Sequence, residues 1–372
     1  MTQAATDGVP VLGQGDFVVG NALIKPNSSS GAIAEASRLV YEGAATIRLR
    51  NTSSAAAQAV AIGPADAAPN SSLVRRGRGT IVFADWYRGN AAFDKSLTTF
   101  TVNGGLATDS HGRVKDPVFT LAYPHAQYTT IDFAALDESS RIVPFDGYES
   151  DSSSWTAGKV AKVASSETLS ESKAVAAINV FRSTLTIPEG MSLVVGNGVD
   201  PACVILDNYS SYTVGTIAGG GTLDFGTSEG VIMTGMRSYS SQPSLVSAKI
   251  SGSGGLTISG GRCGVACGLR LSAANTYVGG TYVNGVGVEP YSDGAFSTGD
   301  VYLGPGRYMG GQIMFKKAGV TITNAVHGSG FGTWHSDSDM NSNGMITFGV
   351  NAELAGPLEL TGKARIGIPR RT

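Results

Sequence analysis

The sequence predicts an all-β protein whose short strands wind as a parallel solenoid, and three observations point that way. Strand-like runs of roughly four to seven residues, bounded by Gly, Asn, Asp or Pro, begin about every eight to twelve residues. Glycine occurs 51 times in 372 residues, about twice ordinary usage, with no collagen-like period. The glycines follow β-branched runs, where the corner of a coil needs a positive φ. Charged residues make up only 15 % of the chain, and Ser, Thr and Asn occupy the polar positions instead. Side chains that stack coil above coil tolerate hydroxyls and amides better than ladders of like charge. Strand spacing alone fits a sandwich as well as a solenoid; three strands per roughly twenty-odd residues match a three-sided coil better. About fifteen such coils would give one elongated domain, a rod of about 70 Å.

Along the chain, residues 1–127 read as a glycine-rich β segment, irregular or made of early coils. Its one helix-like run, Ser30–Leu39, is too short and glycine-broken to stand as a helix. Strands are expected at Ala45–Arg50, Thr80–Ala84, Phe100–Asn103 and Val118–Ala122. Residues 128–177 read as a connector, with a turn at Asp137–Ser140 and a polar loop at Asp146–Ser154. From 178 to 372 the strand signal is densest. Runs at Ser183–Ile187, Ser192–Val195, Val204–Leu206, Thr213–Ala218, Gly221–Phe225, Gly230–Thr234 and Leu245–Ile250 come first. Leu256–Ser259, Leu269–Ser272, Gly280–Val283, Asp300–Leu303, Gln312–Phe315, Val320–Thr323, Gly344–Phe348 and Pro357–Thr361 follow. Successive coils would share one apolar interior that no single coil could bury.

Within this region, SGSGGLTISGG from Ser251 and LRLSAANTYVGGTYVN from Leu269 stand out. They place Gly254, Gly255 and Leu256 at one strand start, and Asn275, Thr276, Tyr277, Gly279, Gly280 and Thr281 at the next corner. This pattern resembles the autotransporter-associated β-strand repeat of bacterial surface passenger domains, over Ile178 to about Thr361. Thr216–Leu223 follows the order of the strand that precedes the core repeat in that family, and Tyr128–Asp151 resembles its connector more loosely. The resemblance implies a right-handed parallel β-helix, exported to the cell surface or beyond by a Gram-negative-type bacterium. It also implies an adhesive or structural role toward extracellular glycan or protein, and no cofactor. The chain departs from the family at the inserted RCGVACG and in ending on GKARIGIPRRT, without the aromatic-girdled strands of an outer-membrane barrel. Any barrel translocator would therefore lie outside this chain, and the chain itself would insert in no membrane.

Composition excludes several other classes. A net charge of −2 leaves no electrostatic footprint for nucleic acid; the basic clusters at Arg75–Arg78 and the C-terminus read as solvated turns. No apolar stretch approaches the length of a membrane span, and the opening residues show no signal peptide. Three cysteines make no disulfide framework; Cys263 and Cys267 leave open a small bonded loop or two free thiols.

Candidate chemistry is sparse, and the chain reads as a non-enzyme. Asp146, Glu149 and Asp151 are the best local carboxylates for glycoside chemistry, but they sit in a serine-rich loop. Trp155 beside them offers either a sugar-stacking face or a cap. Asp337, Asp339, Asn341 and Asn343 alternate like the start of a calcium loop, yet Ser342 and Phe348 stand where an EF-hand needs Gly and Glu. His111, His125, His327 and His335 show no metal-ligand spacing, and no nucleophile-elbow or phosphate-loop motif occurs. Asn275 at a coil corner suits αL or hydrogen bonds between coils, while Tyr277 and Tyr282 are expected to pack on adjacent coils. The alternative function is a β-helical carbohydrate-active enzyme or tailspike-like depolymerase.

Overall fold

A computed structural model describes residues 16–20, 22–24, 33–36, 38–49, 57–85, 93–125, 128–208, 214–235, 242–260, 268–306, 310–332 and 344–368. Strands dominate the described residues, and the one helical element among them is a 3-10 turn at Ser152–Ser154. The chain divides into two compact units, Met1–Gly147 and Tyr148–Thr372. The expected connector at 128–177 is split by this boundary, and its residues from Val160 onward already wind as strands of the second unit, so the β-helix begins earlier than the expected 178.

The first unit winds three coils of three strands. One side pairs Asp16–Val19, Arg38–Tyr41 and Leu73–Arg75 in parallel, and another pairs Ile33–Ala36, Gln58–Ile62 and Thr98–Val102. The third side runs Ala22–Ile24, Ala44–Leu49, Thr80–Asp85 and then Val118–His125, again in parallel. The described residues of the helix-like run at 30–39, Ile33–Ala36 with Arg38 and Leu39, thus lie in strands, because ladder hydrogen bonds to the next coil outweigh a weak local preference. Phe83 and Phe100 meet inside at 5.0 Å between ring centroids, among buried Tyr41, Ile47 and Ile62. Winding then stops: Tyr128–Leu136 turns back antiparallel on Val118–His125, and Ile142–Pro144 pairs antiparallel with it. Two turns of one design hold this meander. Asp109 accepts the amides of His111 and Arg113, and Asp137 those of Ser139 and Arg141, each also bonding its arginine's Nε at 2.9 and 2.8 Å. The expected turn at 137–140 is the second of these.

The second unit is a parallel β-helix. Strands of its first side begin at Val160, Ala177, Ala202, Gly230, Leu256, Thr281, Val301, Val326 and Leu358, giving roughly 17–32 residues per coil. Its second side is another nine-stranded sheet, running from Glu167–Thr168 to Ile366–Gly367. The third side pairs Lys173–Val175, Ser192–Val195, Thr222–Asp224 and Lys249–Ser251, and later Thr321–Ile322 with Glu353–Leu354. Between them the chain still stacks: the Thr276 and Val278 amides donate to Ile250 O and Gly252 O, both at 2.9 Å. Nine strands about 4.8 Å apart make a stack of roughly 40 Å.

Alternation along each strand turns one set of side chains inward. On the first side these are Ala161, Ile178, Val204, Ile232, Ile258, Val283 and Leu303, aligned residue for residue. Leu185, Ile217, Val246 and Leu271 line the second side, and Leu193, Leu223 and Ile250 the third. All are buried in one core cluster, each such aliphatic side chain contributing about 1.5–3 kcal/mol. Trp155 belongs to the same cluster, 3 % exposed, with its indole donating to Glu149 O.

Candidate functional site

The pleat that turns Ile258, Val283 and Leu303 inward turns Thr257, Tyr282, Tyr302 and His327 outward. Register makes them one column, continued by Glu359. Because coils rise by one strand spacing, aromatic residues in such a column must stack. The rings of Tyr282 and Tyr302 lie 4.7 Å apart and 11° from parallel; those of Tyr302 and His327 lie 4.9 Å apart at 15°. Tyr302 is 37 % exposed, and Tyr282 and His327 are half-buried. Ring faces are spent on each other, so the ridge presents hydroxyls and ring edges to a partner.

Carboxylates flank this ridge. His327 Nδ1 lies 2.7 Å from Glu359 and Nε2 lies 3.0 Å from Asp300. A neutral imidazole has one N–H, whereas two carboxylate acceptors call for both nitrogens to be protonated. The bonds to Glu359 and Asp300 accordingly raise the His327 pKa above its ordinary value. Burial and the neighbouring Asp300 raise that of the Tyr302 phenol. At the other end, Thr257 donates to Glu229 at 2.6 Å.

The nine repeat residues form the corner next to this column. Asn275 is buried; its side-chain oxygen accepts the Ile250 amide at 2.8 Å and its NH2 donates to Ala295 O at 2.7 Å. It is not among the residues with positive φ, so the bonding between coils, and not αL, is what it supplies. Asn324 has an analogous role, donating to Gly299 O at 2.6 Å and Ser297 O at 3.1 Å. Tyr277 is 1 % exposed, its hydroxyl on Thr281 and its carbonyl accepting from Ser297. Thr276 faces outward, and Leu256 faces the core. Gly255, Gly279 and Gly280 have φ of 80°, 93° and 83°, and a Cβ on Gly254 would stand 2.3 Å from Ser228 O.

Elsewhere the candidate residues serve local structure. Asp151 accepts the Ser153 amide at 2.9 Å and Glu149 the Asp151 amide at 3.2 Å, so both close the loop that contains them. The Ser153 bonds lower the Asp151 pKa. Trp155 is a cap, its burial leaving no face for a sugar. Asp146 is exposed, with no role assigned by its surroundings. Asp337, Asp339, Asn341, Asn343, His335, Cys263 and Cys267 lie outside the described residues. Among those described, no three His, Cys, Asp or Glu gather to hold a metal, and no helix is long and apolar enough to cross a membrane.

Sequence reasoning set His327 aside as one of four scattered histidines. The signal that would have found it is an aromatic at the second position of three strand starts, TYV, VYL and VHG, once these are aligned as coils. Compared with known proteins, the chain matches no family model, no curated protein and no solved structure.

Proposed function

We propose that this chain is a structural or adhesive β-helix of passenger type, exposed at the cell surface or secreted, binding extracellular glycan or protein along its outer face. The observation behind this reading is the ridge of Tyr282, Tyr302 and His327, rigidly spaced by the coils and flanked by Asp300 and Glu359. Its hydroxyls, ring edges and carboxylates suit the hydroxyl groups of a sugar chain and the polar groups of a protein. The Gly-Gly-Leu and Asn-Thr-Tyr-x-Gly-Gly-Thr corners, which resemble the autotransporter-associated repeat, support the passenger assignment. The test is an array of glycans and matrix proteins probed with the wild type and with Tyr302→Ala. Binding that weakens in the variant, with the circular dichroism unchanged, is expected. A blank array, or binding indifferent to Tyr302, overturns the reading. Protease shaving of intact cells that leaves the protein untouched overturns its surface location.

A β-helical depolymerase is the second reading, favoured by Asp300 and Glu359 on one face. Release of reducing ends from a polysaccharide panel, lost in both Asp300→Asn and Glu359→Gln, would decide for it.

A further inference from the structure

The last coil of the second unit is held differently from those before it. Leu360 and Ile366 occupy inward positions, in register with Gly328 and Ile346, yet they are 52 % and 51 % exposed. The strand Leu358–Ala364 is exposed through most of its length, and its pairing to Val326–Gly330 is irregular between Gly328 and Gly330. Leu358 and Ala364 pack against the core and a parallel ladder pairs the coil, but its apolar burial is otherwise small, and local opening follows where few buried contacts hold a segment. It also has a charged tie. Glu359, on that strand, bonds His327 of the coil before, which bonds Asp300 at the start of the coil before that. One imidazole thus spans three successive coils.

We propose that His327 is a pH-sensitive latch that pins the last coil to the β-helix through Glu359 and Asp300. Among the described residues, Asp300 and Tyr302 face the imidazole from the strand on one side, and Glu359 faces it from the other. Both carboxylates favour the charged ring, as does the negative face of the Tyr302 ring. The direction of the switch follows. A group whose folded pKa lies above its unfolded value stabilises fully below the unfolded value, near 6.5, and ceases to do so as pH rises through the folded one. The latch is closed below the unfolded value and opens as pH rises through the higher, folded one. Opening frees Val326–Gly330 as a sheet edge and uncovers Val326, Met345 and Ile346, now buried.

Hydrogen exchange read by mass spectrometry, corrected for intrinsic rates at about pH 6 and about pH 9, tests this. Protection of amides in Leu358–Gly367 is expected to fall roughly threefold or more across that range, while the strand Ala202–Asp207 keeps its protection. In His327→Gln the low protection should appear at both pH values. His327→Phe keeps the stack on Tyr302 without either nitrogen, and should be equally flat. Equal protection at the two pH values in the wild type overturns the latch, and so does a pH step that survives in either variant. No ligand enters the experiment, so a blank binding array leaves its result intact.

Discussion

The side chain of Asn275 lies within the wall of the β-helix and joins three coils: it accepts from Ile250 on one side and donates to Ala295 O on the other. A corner residue thereby satisfies two backbone groups that the third side, lacking a ladder there, would leave open. Asn275→Ala should cost about 2–4 kcal/mol, from two buried groups losing their partner. Asn275→Asp should cost more, because a carboxylate oxygen would face the Ala295 carbonyl. Urea denaturation measures both; a midpoint unchanged in Asn275→Ala would show that water or a rearranged corner takes over the bonds.

An inward and an outward residue on neighbouring strands of one sheet should differ in how much their loss costs. Ile258→Ala empties a position 0 % exposed between Ile232 and Val283, and should destabilise by about 2–5 kcal/mol. Tyr282→Ala, one coil on and facing out, should shift the midpoint far less. Comparable losses from the two would mean that the outer ridge bears as much of the packing as the core.

Glycine at two positions answers to different constraints. Gly254→Ala sets a Cβ 2.3 Å from Ser228 O and 2.4 Å from its carbon, both backbone atoms that cannot yield without moving a coil. Loss of about 2 kcal/mol or more is expected, within the range of overpacking. Gly158→Ala meets nothing within 4 Å and needs no positive φ, and should be neutral or stabilise by up to about 1 kcal/mol through the unfolded chain. Thermal melts of the two variants test the contrast, which fails if they coincide.

Tyr277 couples the fold to alkali. Burial raises its phenol pKa well above the ordinary value, with the bond to Thr281 opposing only in part. A raised folded pKa leaves stability unaffected below the unfolded value near 10, and removes it as pH climbs above that. The wild type should therefore lose stability steeply above about pH 10. Tyr277→Phe should be weaker at neutral pH by about 1 kcal/mol, yet lose less on going to alkali. Denaturation midpoints at three alkaline pH values decide it; parallel losses in the two proteins would rule out Tyr277 as the source.

Local pattern already contained the solenoid. Leu256, Leu271 and Val283 could be read as strand residues from β-branched and aliphatic runs punctuated by glycine, and their parallel partners Thr281, Pro290 and Ile258 agree with that reading. Gly279 and Gly280 marked a corner because only glycine tolerates its φ cheaply. Ending the first stack was less legible: Tyr128–Leu136 alternates like any strand, and nothing local in it says that it folds back antiparallel.

The sequence by itself determined the strands, their corners and the apolar lining, since these depend on residue type and on spacing within a few positions. Tertiary structure alone decided where parallel winding stops, that Trp155 is a cap, and that Tyr282, Tyr302 and His327 form one ridge. Those three residues are twenty or more positions apart, and they meet only because each coil length brings the next strand into register. Loops of unequal length set that register, and their closure is a property of the whole stack. The raised pKa of His327 is likewise tertiary, caused by two carboxylates from different coils.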